Sequence, residues 1–462
     1  MPLKKLLGVI GLAGLCAHAP AMHWGAVGFV VTNETLFQHN LAADRAQQFY
    51  EAFNVTAKAG RWSGGLTLRL KNFYKQEQNL TQPRAGFDLY RAFAQYRDDS
   101  WRLQAGDFHA MLGRGLVLSV LPNEKLLRER TILGGDIDLQ LHRWHWRALG
   151  GIVRDETRSR EWALAGIEME YRYAAAHTLG LHFSYIDDSG AVGVLGPRLN
   201  GSVSLAGHFS SGVLSYSLEA ACLDFSDPAL ADGQGLFAGC TFARGPWTVM
   251  AEVKRYRNFS NELNNPPNAD RQDEMGVLDD ARAARLYLQY SFAVPDLLLF
   301  GSASVLEEYG VSGSHFYAGV AVQDLFARLN FSASAGVKRT VYPVRRLDAD
   351  LVVFITGPWS VEMTYRDKAF RSGVFRFREQ DVAVQVALAR RGSLFLQYQY
   401  SAQPVLDRRD FFSGGARIYL GSASYIETTI GALRGGEICA QGQCFYAQPF
   451  RGFKIAFFAT LR

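Results

Sequence analysis

Residues 452–462 read Gly-Phe-Lys-Ile-Ala-Phe-Phe-Ala-Thr-Leu-Arg and end the chain. Successive side chains of a β-strand point to opposite faces. Phe453, Ile455, Phe457, Ala459 and Leu461 therefore share one face, and Lys454, Ala456, Phe458, Thr460 and Arg462 share the other. Such a strand at the very end of a chain needs a sheet edge to receive it. The partner implied is the first strand of the processed chain, beginning near Trp24, and their pairing closes a cylinder. Hydrocarbon offers no water to free backbone N–H and C=O groups, so a spanning sheet can keep no edge. The expected fold is all-β, a transmembrane antiparallel up-and-down β-barrel.

The N-terminus agrees with export. Met1 to Lys5 carries two lysines, Leu6 to Leu15 is apolar, and Ala19-Pro20-Ala21 precedes Met22. That reads as a signal peptide over residues 1–21. Its apolar run is too short for a spanning helix, which needs roughly 20 residues, and no later stretch supplies one. Cys16 follows Leu15 where a lipid-anchored cysteine would follow a small residue, so it is expected to leave with the leader. Residues 22–462 contain no linker, charge block or low-complexity segment, which implies one barrel domain. Aromatics at 13%, with 45 glycines against 14 prolines, suit many strands joined by tight turns. A net charge of +5 is too small for this length to argue for nucleic acid.

Four cysteines follow the leader. Cys439 and Cys444 bracket Ala-Gln-Gly-Gln, and in an exported chain that spacing reads as a disulfide. Cys222 and Cys240 fall on neighbouring expected strands at unequal offsets from the intervening loop, and their pairing is left open.

From Trp24 onward, connections alternate between short and long. Eleven short ones centre on Gly60-Arg61, Asp99-Ser100, His142-Arg143, Ala175-Ala176, Ser211-Gly212, Gly245-Pro246, Val294-Pro295, Asp324-Leu325, Gly357-Pro358, Arg391-Gly392 and Ser422-Ala423. Twelve long ones cover 33–44, 73–85, 109–130, 154–162, 187–197, 225–233, 257–280, 306–313, 338–348, 367–380, 401–411 and 432–451. Together they join 24 strands, within a range of 22 to 26. An even number puts both termini on the periplasmic side and the long loops outside.

Within the strands, Leu66, Leu68 and Leu70 alternate with Thr67, Arg69 and Lys71, and Ile137, Leu139 and Leu141 with Asp136, Asp138 and Gln140. The apolar series is expected to meet outer-membrane lipid. Alternation alone fits a soluble sandwich equally well, but Trp62, Trp101, Trp144, Trp146, Trp247 and Trp359 all follow a short turn. Rings gathered at one end of the hairpins make an interfacial girdle.

The segments Gly106-Asp107-Phe108, Gly113-Arg114-Gly115-Leu116 and Leu133-Gly134-Gly135 resemble a family of porin-like outer-membrane barrels catalogued as a domain of unknown function. The close of the chain, Cys439 to Cys444 with Phe450-Arg451-Gly452, is similar to the end of those proteins. The resemblance implies location and fold and carries no substrate or catalytic residue. The chain departs from outer-membrane barrels generally by ending Leu461-Arg462 where an aromatic is usual, which bears on its recognition by the barrel-assembly machinery.

Enzyme signatures are absent: there is no His-Glu-x-x-His, Gly-x-Ser-x-Gly or Gly-x-x-x-x-Gly-Lys. No cofactor is expected. His142 and His145 sit across a turn, and residues i and i+3 of a strand face opposite sides, so an interfacial role is expected for them and not a metal. Asp270, Asp273, Glu274, Asp279 and Asp280 match no calcium-loop spacing and read as a solvated loop.

The stretch from His109 to Arg130 is the most informative internal one. An apolar run, Leu116 to Leu121, inside a loop is out of place in water, and Pro122 followed by helix formers suggests a short helix from Asn123. The loop is expected to fold into the barrel mouth and narrow it, presenting Arg114, Lys125, Arg128 and Arg130; a loop packed outside, or an extra strand pair, is the alternative. The expected lumen lining is Arg69, Lys71, Asp136, Asp138, Glu168, Glu170, Glu252, Lys254, Arg328, Glu362 and Arg366, mixed in sign. Diameter grows with strand number, so a barrel of this size must be narrowed or filled. The expected function is a non-enzymatic, porin-like channel for small hydrophilic solutes. The alternative is a barrel anchoring or housing a periplasmic or surface protein partner of a secretion, motility or surface-assembly machine.

Overall fold

The computed structural model describes residues 23–24, 27–41, 47–74, 86–121, 130–154, 161–187, 196–209, 212–225, 231–259, 263, 280–292, 296–308, 310–326, 328–339, 343–355, 357–371, 376–403, 408–421, 423–440, 443–447 and 450–461. Its wall is a closed antiparallel barrel of 24 strands, and among the described residues there is no helix. The last strand, Phe450–Leu461, lies between Tyr425–Leu433 and the first wall strand, Val27–Asn40. Val31 stands opposite Leu461 and Asn40 opposite Gly452, so the ladder has no free edge at the seam. A two-residue bridge, His23–Trp24, folds back on Val27 and Gly28.

Apart from the seam, neighbouring wall strands are consecutive in the chain except at two places. Trp101–Phe108 pairs directly with Thr131–Leu141, and the chain between them forms a separate hairpin of Ala110–Leu112 with Leu118–Val120. Tyr425–Leu433 pairs directly with Phe450–Leu461 across a hairpin of Gly436–Ala440 with Gln443–Ala447.

The alternation seen in the sequence sorts the two faces. Leu394, Leu396 and Ile430 are 65%, 60% and 67% exposed, whereas Asp136 and Glu219, on the opposite face of their strands, are 1% and 0% exposed. Apolar outside and charged inside is the reverse of a sandwich, in which the apolar faces meet each other. Wall strands of 8 to 15 residues are of the length that crosses hydrocarbon when tilted, about 9–11 residues. Trp62, Trp101, Trp144, Trp146, Trp247 and Trp359 all stand exposed at the tight-turn end. Tyr96 and Tyr290 flank Trp62 and Trp247 with ring centroids 5.0 and 4.5 Å apart.

Several strands run further than the sequence suggests. The first continues through residues 33–40, and most of the expected loop 306–313 is strand, because the ladder runs on to Glu308 opposite Val311, with Gly310 beside it at φ +77°. Likewise Lys338 pairs with Val344 and Arg371 with Arg376. Polar residues in these stretches look like loop, yet a strand that rises past the apolar belt has water on both sides and carries them at little cost.

Two expectations about cysteines meet the structure. Cys222 and Cys240 are free, exposed and do not pair. In the ladder Cys222 faces Gln234 while Cys240 faces Tyr216, six residues away along the strand, or about 20 Å at the rise of a strand. Cys439 and Cys444 are register partners in the second hairpin, but their side chains lie outside the described residues, as do residues 1–21.

Candidate functional site

The chain parts from the preceding strand at Gly106 and from the wall after Phe108. At Gly106 φ is +100°, and a Cβ would stand 2.2 Å from the Ala92 carbonyl oxygen, so only glycine fits. Pairing with the preceding strand, Gly86–Arg97, stops at that residue. Asp107 then replaces the missing ladder: its Oδ2 accepts the Ala92 N–H at 2.8 Å, and the Thr131 hydroxyl donates to its Oδ1 at 3.4 Å. The edge amide of one strand is thus satisfied by a side chain of the next, and the backbone is released inward.

The released hairpin lies against one arc of the inner wall. At its tip Gly113 and Gly115 adopt φ +56° and +84°. Leu112, Leu118 and Val120 are buried with Ile132, Val153, Trp162, Leu164 and Ile186, and Leu116 with Leu223, Tyr256 and Phe259. The wall residues among them lie near the long-loop ends of their strands, Phe259 follows just past Trp247–Arg257, and together they form an apolar seat.

Polar groups fix the depth. The Gly113 N–H donates to Glu168 Oε2 at 3.1 Å and the Arg114 N–H to Glu219 Oε2 at 2.9 Å. Ser184 Oγ and Asn200 Nδ2 donate to the Val117 carbonyl at 3.1 and 3.2 Å, and Arg147 Nη1 to the Met111 carbonyl at 3.3 Å. Backbone groups that would be orphaned in a loop are satisfied by five successive strands of the wall. Arg114 itself is exposed at the tip, its guanidinium 4.7 Å from the Phe237 ring centre.

Nearer the tight-turn end, a belt of charge lines the same arc. Asp136 is bonded by Arg102 Nη2 at 2.9 Å and Arg147 Nε at 2.9 Å. Glu252 lies 3.3 Å from Lys254 and 3.6 Å from Arg285. Glu168 receives His182 Nδ1 at 3.0 Å, and Glu219 receives the Ser202 hydroxyl at 2.7 Å. Buried charges are stable only when paired and hydrogen-bonded, and this arc meets that condition. Across the lumen the pattern changes. Glu362 and Arg366 are exposed on the inner face, and the pairs Arg346–Asp348, Arg434–Glu379 and Arg417–Glu427 keep contact with water. The open part of the lumen is therefore off-centre.

Most residues assigned to the lining from sequence lie on this inner face: Arg69, stacked 3.2 Å from the Tyr90 ring centre, with Asp136, Asp138, Glu168, Glu170, Glu252, Lys254, Glu362 and Arg366. Lys71 is in a wall strand, but its side chain lies outside the described residues. Arg328 is a correction: it is exposed in the turn before Leu329–Arg339, where its N–H bonds the Leu325 carbonyl at 3.2 Å, and it lines nothing. Of the loop cations, Arg130 lies 5.4 Å from the Trp162 ring centre at the base of the inward segment. Lys125, Arg128 and the expected helix from Asn123 fall outside the described residues.

His145 is a second correction. It faces the lumen, not the girdle: its neighbours Trp144 and Trp146 take the outer face, and its Nε2 lies 3.0 Å from Asp138 Oδ1. His182 and Glu219 were missed from sequence, although each sits between outward apolar residues, Leu181 and Phe183 for one, Leu218 and Ala220 for the other. The alternation marks them as inward; their partners depend on register.

No curated protein matches the chain in sequence. Among solved structures it is similar to the P pilus usher (PapC) translocation pore, with TM-score 0.51 and 10% identity over 94% of this chain and 99% of that one. It is also similar to the copper transporter OprC, with TM-score 0.49 and 9% identity over 96% and 81%, and to Pseudomonas aeruginosa OccK5 (OpdH), with TM-score 0.42 and 14% identity over 82% and 98%. At 10% identity the likeness to the usher pore is one of fold. A sequence family matches residues 50–400, most of the chain. The chain therefore belongs to that family, described as a family of unknown function (DUF6029).

Proposed function

We propose that the protein is an outer-membrane channel for the passive or facilitated passage of small hydrophilic solutes, exported by the leader at residues 1–21. The observation that carries this reading is the hairpin from Ala110 to Val120, hydrogen-bonded and packed against one inner arc of a closed, charge-lined barrel. An apolar outer belt with tryptophans at one end supports residence in lipid. The hairpin serves as the constriction, with Arg114 at its tip and Arg130 at its base, and with Lys125 and Arg128 in the segment between. Cations and carboxylates are mixed across the lumen, which favours weak ion selectivity.

Planar-bilayer recording tests the reading. The purified barrel is expected to give conductance steps, and a variant lacking residues 112–128 larger ones. No steps from either protein would overturn it. The alternative, a barrel housing a partner, calls for a lumen clear enough to receive one, and the chain's own hairpin already occupies an arc of it.

A further inference from the structure

One cluster on the inner wall has no part in seating the hairpin's apolar face. His145 stands opposite Glu170 across the ladder, and Glu168 lies two residues along the same face. His145 Nδ1 is 3.7 Å from Glu168 Oε1 and 3.4 Å from Glu170 Oε2, and the three ligand atoms lie within 4.8 Å of one another. Four ligands held about 2.0–2.2 Å from a tetrahedral ion are about 3.3–3.6 Å apart. The two distances from His145 are long for hydrogen bonds and close to those of atoms sharing one ion, while the three-atom set spans up to 4.8 Å, so the two glutamate side chains would draw together on an ion.

The other polar atoms of His145 and Glu168 are already occupied. His145 Nε2 lies 3.0 Å from Asp138 Oδ1, and an N–H donated there leaves the Nδ1 lone pair facing the two glutamates. Glu168 Oε2 accepts the Gly113 N–H at 3.1 Å and His182 Nδ1–H at 3.0 Å, which leaves Oε1 available. Ser204 Oγ, 2.9 Å from His182 Nε2, sets the tautomer of that ring in turn.

Charge points the same way. Arg102 and Arg147 serve Asp136 and Asp138. Among the described residues, Glu168 and Glu170 form ion pairs only with histidines. Arg147 faces Glu168 across the ladder but gives its hydrogen bonds to Asp136 and the Met111 carbonyl, so its one charge is shared among several carboxylates, and the excess of negative charge beside an imidazole favours a dication. The His145 and Glu170 side chains are 30% and 36% exposed, so lumen water reaches them.

We propose that His145 Nδ1, Glu168 Oε1 and Glu170 Oε2 form a three-ligand site for a divalent ion of the zinc class, open to the lumen at a fourth position, with Asp138 and His182 positioning the ligands. Mixed imidazole and carboxylate donors suit zinc or a neighbouring first-row dication better than magnesium or calcium. The site consists of wall side chains and does not depend on what crosses the barrel.

The test uses the full folded barrel in detergent, freed of metal and dialysed against Zn2+ or Co2+, with heat-modifiable mobility on gels as the check on folding. One ion per chain is expected, with the strong visible absorption of four-coordinate Co2+. His145→Gln and Glu170→Gln should each weaken binding by more than about 100-fold, and Asp138→Asn by about 10- to 100-fold. His142→Ala, in the adjacent turn, should leave binding unchanged. The proposal is overturned if the unaltered protein shows only the weak spectrum of aqueous Co2+, or if folded His145→Gln and Glu170→Gln bind as the parent does.

Discussion

Gly113→Ala puts the constriction under direct test. Gly113 holds φ +56°, and a Cβ there would stand 2.4 Å from Glu219 Oε1. A left-handed conformation costs a non-glycine residue about 1–2 kcal/mol. Glu219 must also swing aside, and it then loses the Arg114 amide and the Ser202 hydroxyl, bonds to a charged group worth about 1.5–3 kcal/mol each. The bias against the seated hairpin is therefore about 4–8 kcal/mol. Opposing it is the burial of Leu112, Leu116, Leu118 and Val120, each worth about 1.5–3 kcal/mol, or about 6–12 kcal/mol together.

The two quantities are comparable, so the hairpin should loosen without leaving. Single-channel records of Gly113→Ala are expected to show added open-state noise and brief excursions to larger conductance. Gly60→Ala is the control: it has the same backbone strain, φ +57°, but nothing within 4 Å of its Cβ, and it should conduct as the parent does. If traces of both variants superimpose on the parent's, the hairpin does not set the conductance and the reasoning fails.

Other outcomes follow from the same geometry. Asp136→Ala strips Arg147 and Arg102 of a shared buried partner, and breaking such a pair costs about 3–5 kcal/mol; the heat-modifiable gel shift should move to clearly lower temperature, and an unchanged shift would contradict the belt's contribution. Cys222 and Cys240, free and on the outer face, should react in proteoliposomes with a lipid-soluble maleimide and resist a charged one; equal rates would argue against lipid contact. Cys439 and Cys444, register partners in their hairpin, are expected to form a disulfide after export, seen as a count of two thiols, those of Cys222 and Cys240, that rises to four only on reduction; four thiols reactive beforehand would exclude it.

The wall was readable because its rule is local. Period-two alternation, glycines at tight turns and tryptophans after them needed only neighbours in sequence, and the pairing of Phe450–Leu461 with the first strand followed from the ban on free edges. The errors lie where that rule ends. Residues 306–308 and 311–313 carry the polar composition of a loop but sit in the ladder above the apolar belt. Arg328 alternates like a lining residue, yet a wider turn before Leu329 leaves it outside the wall. Contacts within the lumen were harder still. That His145 faces Glu170, and that Glu219 reaches the Arg114 amide, depends on register summed across many strands and on where the hairpin comes to rest.

The lopsided interior has a bearing on how such proteins can change. On the covered arc Asp136 is bonded to Arg102 and Arg147, Glu219 to the hairpin and Ser202, and Arg285 to Ser302 and Glu252, and exchanging any of them disturbs folding. On the other arc Glu362 and Arg366 border water and support little else. A barrel divided in this way can vary the charge and width of its route residue by residue along one side while its scaffold stands still, so relatives would be expected to diverge in what they admit far more readily than in shape.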